Sequence, residues 1–142
     1  MLEFLTWAVG GILFVLSGVH GYWLFGGQVG YKAAIPSTGA AMLFKPSRMG
    51  TAVVAILLAL AAWFVFELGG VRRPLLSSIF YPYGRWLLSG LFIIRAVGDF
   101  RWVGFFKRKK GTVFAKWDSV LYSPLCFLLG SALLIIVLLR PE

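Results

Sequence analysis

A single cysteine, Cys126, and a single histidine, His20, stand in a chain of 142 residues that carries only five acidic side chains. One thiol excludes an intramolecular disulfide and any metal site of paired cysteines. One imidazole cannot by itself hold a metal or a bis-histidine haem, so no metal and no cofactor is expected. No P-loop, Gly-x-Ser-x-Gly, His-Glu-x-x-His or Cys-x-x-Cys occurs, which removes several familiar signatures of catalysis without deciding whether the chain is an enzyme. Charge is scarce as well, at 13% of residues, whereas 60% are hydrophobic and 17 glycines come on top. A soluble domain holds roughly 45–50% apolar residues with glycine included. At this length, a chain so composed cannot cover its apolar residues with polar surface, which excludes a water-soluble globule, and it is too hydrophobic for disorder. An integral membrane protein remains.

Crossing roughly 30 Å of hydrocarbon takes about 20 mostly apolar residues in a helix. Residues 4–25, 49–67 and 119–139 meet that demand. A fourth helix over about 83–106, after the breakers Pro82 and Gly84, would contain Arg85, Arg95, Asp99 and Arg101. Three spans with an interfacial hairpin is the competing count. The expected fold is therefore all-α, one transmembrane domain over residues 1–142 built as a four-helix bundle. The first run has Glu3 where a secretory signal needs bases and is too long for a signal's apolar region, so it reads as a retained helix.

The formal net charge of +9 is unevenly spread. The first loop holds Lys32, Lys45 and Arg48, and the third Lys107, Arg108, Lys109, Lys110 and Lys116, eight bases against three (Arg72, Arg73, Arg140) on the other side. By the positive-inside rule both basic loops face the cytoplasm and both termini lie outside, in a multi-pass protein of the cell (inner) membrane. Beside a membrane helix, Lys107, Arg108, Lys109 and Lys110 read as contacts to anionic lipid of the bilayer, with no nucleic acid implied.

The first loop, residues 26–48, is longer than most helix connections, and its apolar residues make it a candidate cover over one end of the bundle. Ser123-Pro124 reads either as a kink or as a helix start capped by Ser123. Asp118 reads either as a cap or as a reactive group. Arg95 and Asp99, four apart, share a helix face, yet a carboxylate near a helix C-terminus is disfavoured by the dipole. Something else must hold Asp99, the candidates being Arg95, Arg101 and Lys45. Glu67, at the opposite end with Arg72 and Arg73, reads as an interfacial anchor. Gly11 and Gly18, and the pair Ser17 and Gly21, allow close helix approach within the chain or between copies, so a homo-oligomer is a further expectation.

On this topology His20, Tyr22, Trp23, Lys45, Arg95, Asp99, Arg101, Asp118, Tyr122 and Ser123 gather at the cytoplasmic mouth of the bundle. Ionisable groups inside a membrane tend to face the bundle interior and mark function. These are the ligand-binding candidates, for a lipid-like or amphipathic small molecule, with His20 and Asp99 available to move a proton. The alternatives are an oligomeric channel or transporter lined by Arg95 and Asp99, and a non-catalytic accessory subunit.

Four stretches carry a family resemblance: His20-Gly-Tyr-Trp23; Phe44-Lys-Pro-Ser47; Arg95-Ala-Val-Gly-Asp-Phe-Arg-Trp-Val-Gly-Phe-Phe-Lys107; and Phe114 through Asp118 to Tyr122-Ser-Pro-Leu-Cys126. Together they resemble a bacterial family known as domain-of-unknown-function family 3995. The block ending at Lys107 is the most specific part. The resemblance implies a small four-helix inner-membrane protein and supplies no activity.

Overall fold

A computed structural model describes residues 1–71, 73 and 80–140. Arg72, part of the charge balance above, lies outside the described residues. Helix α1 (Leu2–Leu24) has Glu3 in its first turn, where the helix dipole favours an anion, and no side-chain cap. It ends in a glycine turn in which the Gly26 and Gly27 N–H groups donate to the carbonyls of Trp23 and Tyr22. This hydrogen-bond pair satisfies two of the orphan carbonyls at a helix end. Helix α2 (Arg48–Leu68) begins under a Ser47 cap, whose Oγ accepts from the Gly50 N–H at 2.9 Å. Its end repeats the turn of α1, with Gly70 and Val71 donating to Glu67 and Phe66.

Helix α3 (Phe80–Val97) is followed by a structured loop. Helix α4 (Val113–Trp117), a π-helical turn (Asp118–Tyr122) and α5 (Ser123–Leu139) then form one continuous rod. Thr112 caps that rod, accepting from the Ala115 N–H, so the cap expected of Asp118 belongs to Thr112. The π-helical turn sits just before Pro124, where a missing N–H and the ring would disrupt a regular α-helix. Ser123 accordingly lies inside the rod and caps nothing. No strand occurs among the described residues, only an isolated bridge between Ser37 and Met42 in the first loop.

Among the described residues three helices are long and apolar enough to cross a membrane: α1, α2 and the composite rod, residues Val113–Leu139. Helix α3 is not among them: its described residues include Arg85 and Arg95 together with Tyr81, Pro82 and Tyr83, which lower its hydropathy. It stops at Val97, nine residues short of the expected end at Phe106.

Helix α1 packs on α2 and α3 on α5, and α5 joins the two pairs through contacts with α1 and α2. The core is formed by Val9 and Leu13 of α1, Ala62 and Val65 of α2, and Leu129 and Leu133 of α5. Polar bonds between rods add to this packing. Ser17 Oγ donates to the Ala55 carbonyl at 2.7 Å, and Ser89 Oγ to that of Gly130 at 2.9 Å. The glycine used for close approach on α1 is Gly10, where a Cβ would run into the Phe66 ring. Gly11, Gly18 and Gly21 face open space instead. Glu67 is no surface anchor: it is 2% exposed and accepts from Trp63 Nε1 at 2.6 Å.

Candidate functional site

Two polar constellations share the end of the bundle formed by the first and third loops. The first centres on Asp118, which is completely buried. Its Oδ1 accepts from Arg95 Nη2 at 2.9 Å, and its Oδ2 from Lys107 Nζ at 3.0 Å and from the Gly104 N–H at 2.8 Å. Lys107 also donates to the Gly104 carbonyl at 3.0 Å and to Ser119 Oγ at 2.7 Å, so all three ammonium protons have acceptors. At 4% exposure, Lys107 is removed from lipid contact, which corrects its assignment to the lipid-facing basic run. Arg108, Lys109 and Lys110 are exposed.

Residues 98–107 hold this cluster together. Gly98 and Gly104 both adopt left-handed backbone, and the chain passes so close to itself that a Cβ on either would strike the other segment's backbone. Asp99 stands between them. Its Oδ1 accepts from the N–H groups of Arg101, Trp102 and Val103 at 2.9, 2.7 and 2.9 Å, with no basic side chain among its partners. Burial alone would push its carboxyl up, but the three backbone donors outweigh that and hold it below the usual carboxylate range. These bonds also account for the positive φ of Phe100, which the turn imposes on a residue type that rarely adopts it. The expected partnership of Arg95 with Asp99 is thus replaced by Arg95 with Asp118. Arg101 and Lys109 instead flank the Trp102 ring at 5.6 and 5.7 Å.

The second constellation is a cavity of about 560 Å³ between α1, α2 and the first loop. His20, Trp23, Tyr31, Ile35, Phe44 and Val54 supply much of its wall, Lys45 is its only cation, and no acid lines it among the described residues. His20 Nδ1 lies 2.8 Å from the Leu16 carbonyl, which can only accept, so Nδ1 carries the proton. That leaves Nε2 as the ring's free valence. Trp23 is fixed by donating Nε1 to the Val29 carbonyl at 2.8 Å, and its ring meets those of His20 and Tyr31 edge-on. The first loop therefore covers the end of α1 and α2 as an ordered wall, with a short 3₁₀ turn at Lys32–Ala34.

The ten candidates do not converge on one mouth. His20, Trp23 and Lys45 line the cavity, whereas Arg95 and Asp118 form the buried cluster. Asp99 and Arg101 belong to the turn that supports the cluster. Tyr22 packs against the α1 terminal turn, its hydroxyl accepting from the Val29 N–H at 3.4 Å. Ser123 is buried, and its Oγ has no partner among the described residues. Tyr122 connects the two regions, donating its hydroxyl to the Ala33 carbonyl at 3.2 Å. Sequence reading missed Lys107, Gly104 and Ser119. A signal for the first existed, since Asp118 is the only acid between Asp99 and Glu142, amid seven bases that include Lys107.

Among the described residues, no group of three or more His, Cys, Asp or Glu side chains is placed to hold a metal ion. No curated protein and no solved structure matches the chain. Residues 13–133 match the family described as Protein of unknown function (DUF3995), and the chain belongs to that family.

Proposed function

We propose that this is a multi-pass protein of the cell (inner) membrane that binds an amphipathic small molecule with an anionic head in the cavity beside His20. The observation that carries this reading is the cavity's make-up: a volume within the range of ligand sites, aromatic and aliphatic walls, one lysine and no carboxylate. Lys45 supplies charge for the head, His20 Nε2 a hydrogen-bonding position, and Trp23, Tyr31 and Phe44 the surface for the apolar portion. The positive-inside balance supports placing this end in the cytoplasm and the termini outside, with the exposed Arg108, Lys109 and Lys110 on anionic lipid. Catalysis has no support of the same kind, and binding is the activity proposed.

Native mass spectrometry of the purified full-length protein tests the reading, with dodecyl phosphate as the probe. The wild type is expected to hold one equivalent, Ala34→Trp, which fills the cavity, to lose it, and Lys45→Ala to bind at least tenfold more weakly. Equal occupancy in all three would overturn the proposal.

A channel lined by Arg95 and Asp99 is disfavoured, because Arg95 is paired to Asp118 and Asp99 is spent on a backbone turn. Self-assembly has one observation in its favour: Gly11, Gly18 and Gly21 of α1 meet nothing among the described residues. Mass photometry of the wild type and Gly18→Leu addresses it, since a dimer that persists unchanged in the variant would place the contact elsewhere.

A further inference from the structure

A second hollow lies beside the cavity along α2. Val54 lines the cavity, and one turn further along α2 Leu57 begins the second hollow, of about 670 Å³, formed with Leu60, Ala61 and Phe64 of α2 and with Phe80, Tyr83, Gly84, Leu87 and Leu91 of α3. Positions 54, 57, 61 and 64 follow the three-and-four spacing of a single helix face. Val54, Leu57 and Leu60 are roughly half-exposed, so nothing among the described residues covers that face between the two hollows. The second hollow is walled almost wholly by carbon, and its lining residues include no ionisable group but the Tyr83 hydroxyl. The polar cavity and the apolar trough are thus aligned along one face of α2, from Val54 to Phe64, about 15 Å along the helix axis.

From this alignment we infer the class of ligand: an amphiphile with a single long hydrocarbon chain and a compact anionic head, the head in the cavity at Lys45 and His20 and the chain laid along α2 in the groove beside α3. The inference rests on the cavity reading above and adds the chain to it. The head side carries the only cation and the trough carries none, so the ligand's orientation follows from charge. The cavity volume suits a compact head with the first part of a chain. A bare anion or a small soluble ring would leave the trough unused.

Alkyl phosphates of increasing length, titrated against the full-length protein in amphipol, separate the two readings. Each added methylene that enters the trough is expected to tighten binding by roughly threefold or more, the equivalent of about 0.8 kcal/mol per buried CH₂. Dodecyl phosphate with a diazirine at the chain end is expected to cross-link to residues 57–64 or 84–91. Leu57→Trp, which blocks the trough at an exposed position, should bring dodecyl phosphate down to the affinity of butyl phosphate and leave the latter unchanged. Butyl and dodecyl phosphate binding equally, or cross-links elsewhere, would overturn the trough while leaving the cavity reading intact. Failure of both phosphates to bind, or binding indifferent to Lys45→Ala, would overturn the cavity reading and this inference with it.

Discussion

The Asp118 cluster and the His20 cavity lie at the same end of one small bundle and use charge in opposite ways. In the cluster Arg95 and Lys107 share the one carboxylate of Asp118, and only Arg95 Nη1 is left without a partner among the described residues. Asp118 has two cations and a backbone donor, and Lys107 has three acceptors, inside a loop whose glycines allow the chain to close on itself. In the cavity Lys45 meets no acid, and the histidine ring is tied down through one nitrogen with the other left over. The difference separates structural polarity from polarity available to a ligand. A buried ion pair costs desolvation that only partners close at hand can offset, so it leaves little for anything else. An open site keeps its charge unspent, and the surrounding aromatic wall makes that charge selective.

The largest expected effect breaks the closed side. Asp118→Ala leaves Lys107 buried without its counter-ion, which should destabilise the fold by about 3–5 kcal/mol. Thermal unfolding in detergent, followed by circular dichroism, measures it. If the cluster is structural, Arg95→Met and Lys107→Met combined with Asp118→Leu recover much of the loss, because no charge is then left without its partner and only the Gly104 N–H loses its acceptor. A triple variant no more stable than Asp118→Ala would show that the cluster's charges are needed for something besides holding the loop.

A smaller effect tests the turn beneath the cluster. Asp99→Ala removes the acceptor for three N–H groups, with a cost of about 1 kcal/mol by analogy with lost helix caps, while Asp99→Asn keeps a carbonyl oxygen and should cost less. The depressed carboxyl gives this a pH signature. Its stabilisation is present in full above the ordinary carboxylate range and is lost as pH falls through the lowered folded value. Acid titration of stability should therefore be shallower in Asp99→Asn than in the wild type. Identical slopes would mean that the turn does not discriminate the ionised group.

Much of the architecture is legible in composition because membrane helices answer to one simple constraint, a long enough run of apolar residues. The runs near residues 4–25 and 49–67 differ from α1 and α2 by one or two residues at each end. Helix α3 ends before the expected Phe106: hydropathy continues through Trp102, Val103, Phe105 and Phe106, while the stop comes from Gly98 and the Asp99 carboxylate. A carboxylate that looked misplaced at a helix end was in fact the sign of that turn. The candidate site was legible as a list and not as a partition. Spacing along a helix made Asp99 the natural partner of Arg95, whereas Asp118, 23 residues away, is brought to it only by the return of the chain. The cavity residues His20, Trp23 and Lys45 were identifiable, but their separation from the cluster depends on the path of the first loop. No periodicity encodes that path.

The smallest perturbation addresses whether the two regions are separate at all. Tyr122 ends the π-helical turn that Asp118 begins and donates to Ala33, within the 3₁₀ segment whose next residues, Ala34 and Ile35, line the cavity. Helix α4 packs on that same segment. Tyr122→Phe deletes one hydrogen bond between partly buried groups, worth about 0.5–1.5 kcal/mol, and leaves the ring packed against Phe114. If the bond only contributes stability, unfolding shifts slightly and dodecyl phosphate affinity stays constant. If instead it sets the position of the cavity wall, affinity falls by more than the stability change accounts for, and Asp118→Ala, where still folded, shows the same loss. The comparison then becomes one of cause: the closed cluster would be what holds the open site in shape, and its charges, bound to one another, would serve the ligand without touching it.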